Sequence, residues 1–229
     1  MQMKPILFDT EMVRAILDGR KTVTRRIIKP QPRGHAALVS RNLLPETTEA
    51  GTGAVYAFED GTVVAVPFTV GDVLYVRETW GHADDLPGIS EEANVYAADF
   101  SDRELAHLKD KHFRWRPSIH MPKELARLHL RVTEVRAERL HNVNTEELIR
   151  EGITPEALEP HGCECAWKYD GCRDEPCANR DAYEYFTYAY PFSELWDSTI
   201  PKADLDTYGW EANPWVWVIR FELYEKPEG

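Results

Sequence analysis

The chain has 229 residues, of which 43% are hydrophobic and 29% charged, with a formal net charge of −12. Such a chain is read as an ordinary soluble globular protein of one large domain or two small ones. No apolar run approaches the roughly 20 residues needed to span a bilayer, and the acidic balance argues against nonspecific, phosphate-driven binding to long nucleic acid.

The N-terminus carries no apolar segment with a cleavage site, so a cytoplasmic protein with reduced thiols is expected. The charge is uneven. Residues 14 to 33 hold seven Arg or Lys against the single acid Asp18, and residues 103 to 139 hold ten against five acids. Acids collect chiefly from Glu146 to Glu184. A local positive cleft on an acidic body and a plain solvated surface are both compatible with this pattern.

In chain order, Ile6 to Phe8 predicts a short strand. Asp9 or Thr10 caps a helix over about 10 to 18, with Met12, Val13, Ile16 and Leu17 on one face and Gly19 as its left-handed stop. Five cationic residues follow, Arg20, Lys21, Arg25, Arg26 and Lys29, around the hydroxyls of Thr22 and Thr24. A lysine among fixed guanidinium charges is disfavoured as a cation. Lys21 is therefore expected to bind anions or to act as a reactive amine.

From Pro30 to Gly53 the chain lacks a clear period and reads as a loop. Thr62 to Phe68 and Val73 to Glu78 are β-rich, with Gly71-Asp72 suited to the turn between them. Arg77 and Glu78 end the second run, either as an ion pair with each other or as groups facing a cleft. Residues 80 to 115 read as an insertion, with a short helix at 102 to 110. Leu128, Leu130 and Val132 alternate with polar residues, then the parity shifts to Val135 and Ala137, predicting a bulge near Thr133 and Glu134. Asn144 begins a helix with Glu147 at the capping-box position, and Gly152 ends it. In the last strand Trp215, Trp217, Ile219, Phe221 and Leu223 share one face, opposite Arg220 and Glu222. The expected fold class is α+β, mainly β, a small and mostly antiparallel barrel with peripheral helices and long insertions.

All four cysteines, Cys163, Cys165, Cys172 and Cys177, fall in one polar loop within a second insertion over 154–210, with His161 just before them. Four thiolates suit a structural zinc site, although the spacing is not that of a standard ribbon or finger. Disulfides and free thiols are the alternatives.

Gly19-Arg20-Lys21-Thr22 with Thr24, Gly71-Asp72-Val73-Leu74, Glu147 to Gly152 and the closing strand together resemble the ASCH domain, a single domain here spanning 1–229. The stretches Lys4 to Phe8, Val76 to Trp80, Trp115 to Pro122 and Asn213 to Trp217 look like those of the longer ASCH-like proteins of phages and prophages. The resemblance implies a PUA-like β-barrel, an RNA or modified-nucleoside partner and, for a phage protein, the host cytoplasm. One bacterial branch hydrolyses N4-acetylcytidine, with no metal needed. By motif, its lysine, threonine and glutamate become Lys21, Thr24 and Glu151. A binding-only protein is the alternative. There Arg20, Lys21, Arg25, Arg26 and Arg77 would hold phosphates, and Trp80 or Trp115 would stack a base or simply pack in the core. Ribonuclease activity is a third reading implied by the family.

Overall fold

The structure is a computed structural model that describes residues 3–34, 36–39, 55–85, 93–153 and 188–225. The four cysteines lie outside these residues. The architecture is mixed and mainly β. Its strands are β1 (Lys4–Leu7), β2 (Val23–Ile27), β3 (Ala36–Val39), β4 (Val55–Phe58), β5 (Val63–Ala65), β6 (Val73–Arg77), β7 (Trp80–His82), β8 (Asn94–Tyr96), β9 (His129–Arg139) and β10 (Trp215–Leu223). Hydrogen bonding orders five of them β1-β6-β9-β10-β2, with β1 and β2 at the ends, so among the described residues this sheet is not closed into a barrel. Pro5 lies in β1, where a residue without a backbone N–H is tolerated at an edge.

The chain divides into two compact units, residues 1–22, 70–134 and 220–229 in the first and 23–69 and 135–219 in the second, with β9 and β10 running through both. In the first unit β1 pairs parallel with β6, Ile6 opposite Val76, and β6 pairs antiparallel with β9, Leu74 opposite Leu130. Helix α1 (Thr10–Leu17) forms as its pattern predicts, with the Asp9 side chain accepting from Met12 N. Gly19 follows it at φ 73°. The segment 80–115 contributes the β7–β8 hairpin, Trp80 opposite Tyr96, and helix α2 (Asp102–Asp110). A full capping box between Ser101 and Glu104 starts α2.

In the second unit β3, β4 and β5 form an antiparallel sheet. Part of the stretch read as a loop is thus strand. Ala36–Val39 acquires its pairing from Val55–Phe58, a partner that local sequence does not reveal. Helix α3 (Thr145–Arg150) has Asn144 as its cap, and helix α4 (Tyr190–Ser198) carries Pro191 in its first turn. The second unit's core joins Val23, Leu140, Leu148, Phe192, Trp196 and Trp210 to Val216 and Val218. On the other face of β10, Trp215 meets Phe58 at 5.2 Å and Trp217 meets Tyr56 at 5.3 Å between ring centroids. The last strand is therefore buried on both faces from Trp215 to Ile219, not on one, while Leu223 is exposed. The alternation in β9 fades after Thr133, at the expected slip, and the strand continues unbroken to Arg139.

Adjacent residues of α3 test this packing. Leu148→Ala is expected to cost about 2–5 kcal/mol, because Leu148 is buried in the core cluster. Ile149→Ala is expected to cost about 0.5 kcal/mol or less, because Ile149 is exposed. Urea denaturation of both variants measures the difference.

Candidate functional site

The segment after α1 turns back on the helix, with the backbone N–H groups of Arg20 and Lys21 both donating to Ala15 O. Lys21 is not a surface lysine. It is 3% exposed, with its Nζ 5.7 Å from the centroid of the Phe8 ring. Beyond it the chain extends into β2, where successive side chains point to opposite faces. That alternation separates the two neighbouring arginines: Arg25 is buried and Arg26 exposed. Thr24, also in β2, is 4% exposed.

Arg25 meets three carboxylates of its own unit. Its Nη1 donates to Glu151 Oε1 at 3.0 Å and its Nη2 to Glu138 Oε1 at 2.8 Å and to Glu147 Oε2. Arg136 closes the cluster from β9, its Nε donating to Glu138 Oε2 at 3.1 Å and its Nη2 to Glu147 Oε1. The spacing explains the convergence. Glu147 and Glu151 are four apart, one helical turn, and Arg136 and Glu138 are two apart, one strand repeat. Asn144 fixes the helix start, its Oδ1 accepting from Glu147 N at 2.9 Å, while the Glu147 carboxylate is held by the arginines. Glu151 serves as the residue that ends α3, before Gly152 at φ 94°. Burial opposes the charge on Arg25, but the carboxylates of Glu151, Glu138 and Glu147 outweigh it. The guanidinium therefore holds its proton more tightly than an ordinary arginine.

The expected cluster of free cations around Lys21 is thus dispersed. Arg20 pairs with Asp18 at 2.8 Å, Arg25 is enclosed by carboxylates, and Lys29 lies 4.5 Å from the ring centroid of Tyr208. Arg77 and Glu78 do not pair with each other as the adjacent-residue reading expected, because strand alternation turns them apart. Glu78 takes Arg127 instead, through Nε at 2.9 Å and Nη2 at 3.0 Å, and Arg77 donates to Ile119 O at 3.3 Å. Arg127 also binds both Asp99 oxygens at 2.8 Å and lies 4.1 Å from the Tyr96 ring centroid. Trp80 is buried, with Arg116 5.1 Å from its ring centroid, which removes it as an open stacking platform. Trp115 is half-buried against Phe100 and Phe113. Among the described residues no group of three His, Cys, Asp or Glu is arranged to hold a metal ion.

Sequence reasoning did not single out Glu78 with Arg127, or Glu138 with Arg136. The available signals were the i, i+2 pair in β9 and the i, i+4 glutamates in α3. No local signal joins Glu78 to Arg127, since they are 49 positions apart.

Two outcomes follow from these networks. Arg25→Met leaves three carboxylates without their central cation and is expected to cost about 3–5 kcal/mol at neutral pH. Urea denaturation of the variant beside the parent measures this cost. For Glu78, burial raises the carboxyl pKa above its ordinary 4.5, and the Asp99 charge adds to this against the hydrogen bonds and charge of Arg127. The folded state thus binds this proton more tightly than the unfolded chain. The stability this supplies is complete below pH 4.5 and is lost as the pH rises through the folded value. Relative to the parent, Glu78→Gln should therefore gain stability as the pH increases above 4.5; a flat difference across a pH series of urea midpoints would contradict this origin.

No protein-family model matches the chain, and no curated protein or solved structure matches it.

Proposed function

We propose that the chain is an ASCH-type protein of PUA-like fold that handles a modified nucleoside, and that it hydrolyses the amide of an N4-acylated cytidine with Lys21, Thr24 and Glu151. The observation that carries this reading is the burial of all three polar side chains, at 3%, 4% and 4% exposure, in segments chosen by motif. The competing phosphate clamp requires free arginines, whereas Arg25 is enclosed by three carboxylates and Arg20 is paired with Asp18.

In the proposed reaction the amide carbonyl is attacked, its C–N bond breaks, and one water is consumed to give a carboxylate and the free cytosine amine. Lys21 in its neutral form acts as nucleophile or base. The Thr24 hydroxyl donates to the developing oxyanion. Glu151 carries a proton to the leaving nitrogen. Arg25 Nη1, 3.0 Å from Glu151 Oε1, holds that carboxylate in place.

The test is incubation of the purified protein with N4-acetylcytidine, followed by chromatography. Release of cytidine is expected, and Lys21→Ala should slow it by at least about 100-fold. No release from protein shown by circular dichroism to be folded would sink the hydrolase and leave a non-catalytic reader of the modified base.

A further inference from the structure

The first unit contains a cleft of about 800 Å³, within the size range of small-molecule sites. It is built largely from the 80–115 segment, with Thr10 of α1, and its lining residues do not include those assigned above to chemistry. Three exposed residues line it, Lys109, His112 and Arg114, together with the half-buried Trp115 and the threonines Thr10 and Thr79. Among the described residues no acidic side chain lines it, although the chain carries 39 acids against 27 Lys and Arg. The local sign of charge is thus opposite to that of the chain.

The backbone that presents these groups is an uncommon choice. After α2 the chain makes a left-handed helix end, with His112 N donating to Lys109 O at 3.0 Å and Phe113 N to Leu108 O at 2.9 Å. The left-handed position usually falls to glycine. Here it is His112, at φ 60°. Strain of this kind often accompanies function, since a glycine would relieve it and lose the side chain. Phe113 is then seated over Gly81, where an added Cβ would lie 2.6 Å from the Phe113 ring. Phe113 in turn supports Trp115, with ring centroids 4.7 Å apart at 74°.

We propose that this cleft binds a nucleoside phosphate, with the base against Trp115, the phosphate held by Lys109, His112 and Arg114, and the Thr10 and Thr79 hydroxyls available to the sugar. Flat aromatic surface beside cations and hydroxyls, with no carboxylate among the described lining residues, matches a ring-bearing anion. The choice of a nucleotide among such anions rests on the nucleoside-handling reading; the cleft and its charge do not. The ligand is either a free mononucleotide or one residue of a strand, with the same recognition chemistry.

Isothermal titration of the full chain with cytidine monophosphate, cytidine, inorganic phosphate and a short oligocytidylate tests this. Cytidine monophosphate is expected to bind, with cytidine and phosphate each at least about tenfold weaker. Combined Lys109→Ala and Arg114→Ala should weaken cytidine monophosphate by at least about tenfold, and His112→Gly should weaken it without lowering the melting temperature. Tighter binding of the oligonucleotide assigns a strand, and equal binding assigns the free nucleotide. Absence of binding, binding indifferent to the double variant, or phosphate alone binding as tightly as the nucleotide would each overturn the proposal. Lys21→Ala separates the two readings, since it should slow hydrolysis by at least about 100-fold and leave nucleotide binding intact.

Discussion

A guanidinium removed from water must find carboxylates, and Arg25 finds three. Taking one such charge out of solvent costs several kcal/mol, roughly, and the cost is recovered only when geometry and hydrogen bonding are both satisfied. Glu138 from β9 and Glu147 and Glu151 from α3 satisfy that requirement around a strand residue of β2. Three elements of the second unit are thereby tied through one side chain. Arg136 adds a second cation, so two guanidiniums face three carboxylates. The proposed catalytic Glu151 is part of this network, and its orientation depends on partners that take no part in the chemistry.

The same unit relies on β10 as a strand packed on both faces. Val216 and Val218 enter the cluster formed with α3 and α4, while Trp215 and Trp217 meet the aromatic residues of β4. Burial of large aromatic side chains contributes about 1.5–3 kcal/mol each relative to exposure, so a strand with two covered faces holds a large share of the unit's stability. The first unit has its own buried acid in Glu78, held by Arg127, which also reaches Asp99. Both units thus use an arginine to compensate a carboxylate buried at the end of a secondary element. Those networks account for Arg25, Arg127 and Arg136, three cations that a count of charges along the chain would assign to a binding surface.

This redistribution shapes the functional reading. An acidic chain with two basic stretches suggests a positive groove, yet the arginine at the centre of the first stretch, Arg25, is neutralised by its own neighbours. Part of the second stretch remains exposed, at Lys109, His112 and Arg114, beside aromatic rings. The proposed chemistry and the proposed nucleotide cleft therefore draw on different segments, and on groups that are buried in one and, at Lys109, His112 and Arg114, exposed in the other.

Local pattern was enough for α1 with its Asp9 cap and Gly19 stop, for α2, for the Asn144 start of α3, and for the positions of β1, β6, β9 and β10, because each depends on residues within a few positions of one another. The burial of Trp215 and Trp217 was legible for the same reason. Strand β3 was not, since its partner β4 lies beyond a long interval of chain. Nor could the sequence distinguish the roles of adjacent Arg25 and Arg26, or show that Glu78 turns to Arg127 and not to Arg77. By itself the sequence determined the local elements and the apolar faces. Only the tertiary structure decided which charges are compensated and which are exposed, because desolvation and ion pairing depend on neighbours distant in sequence.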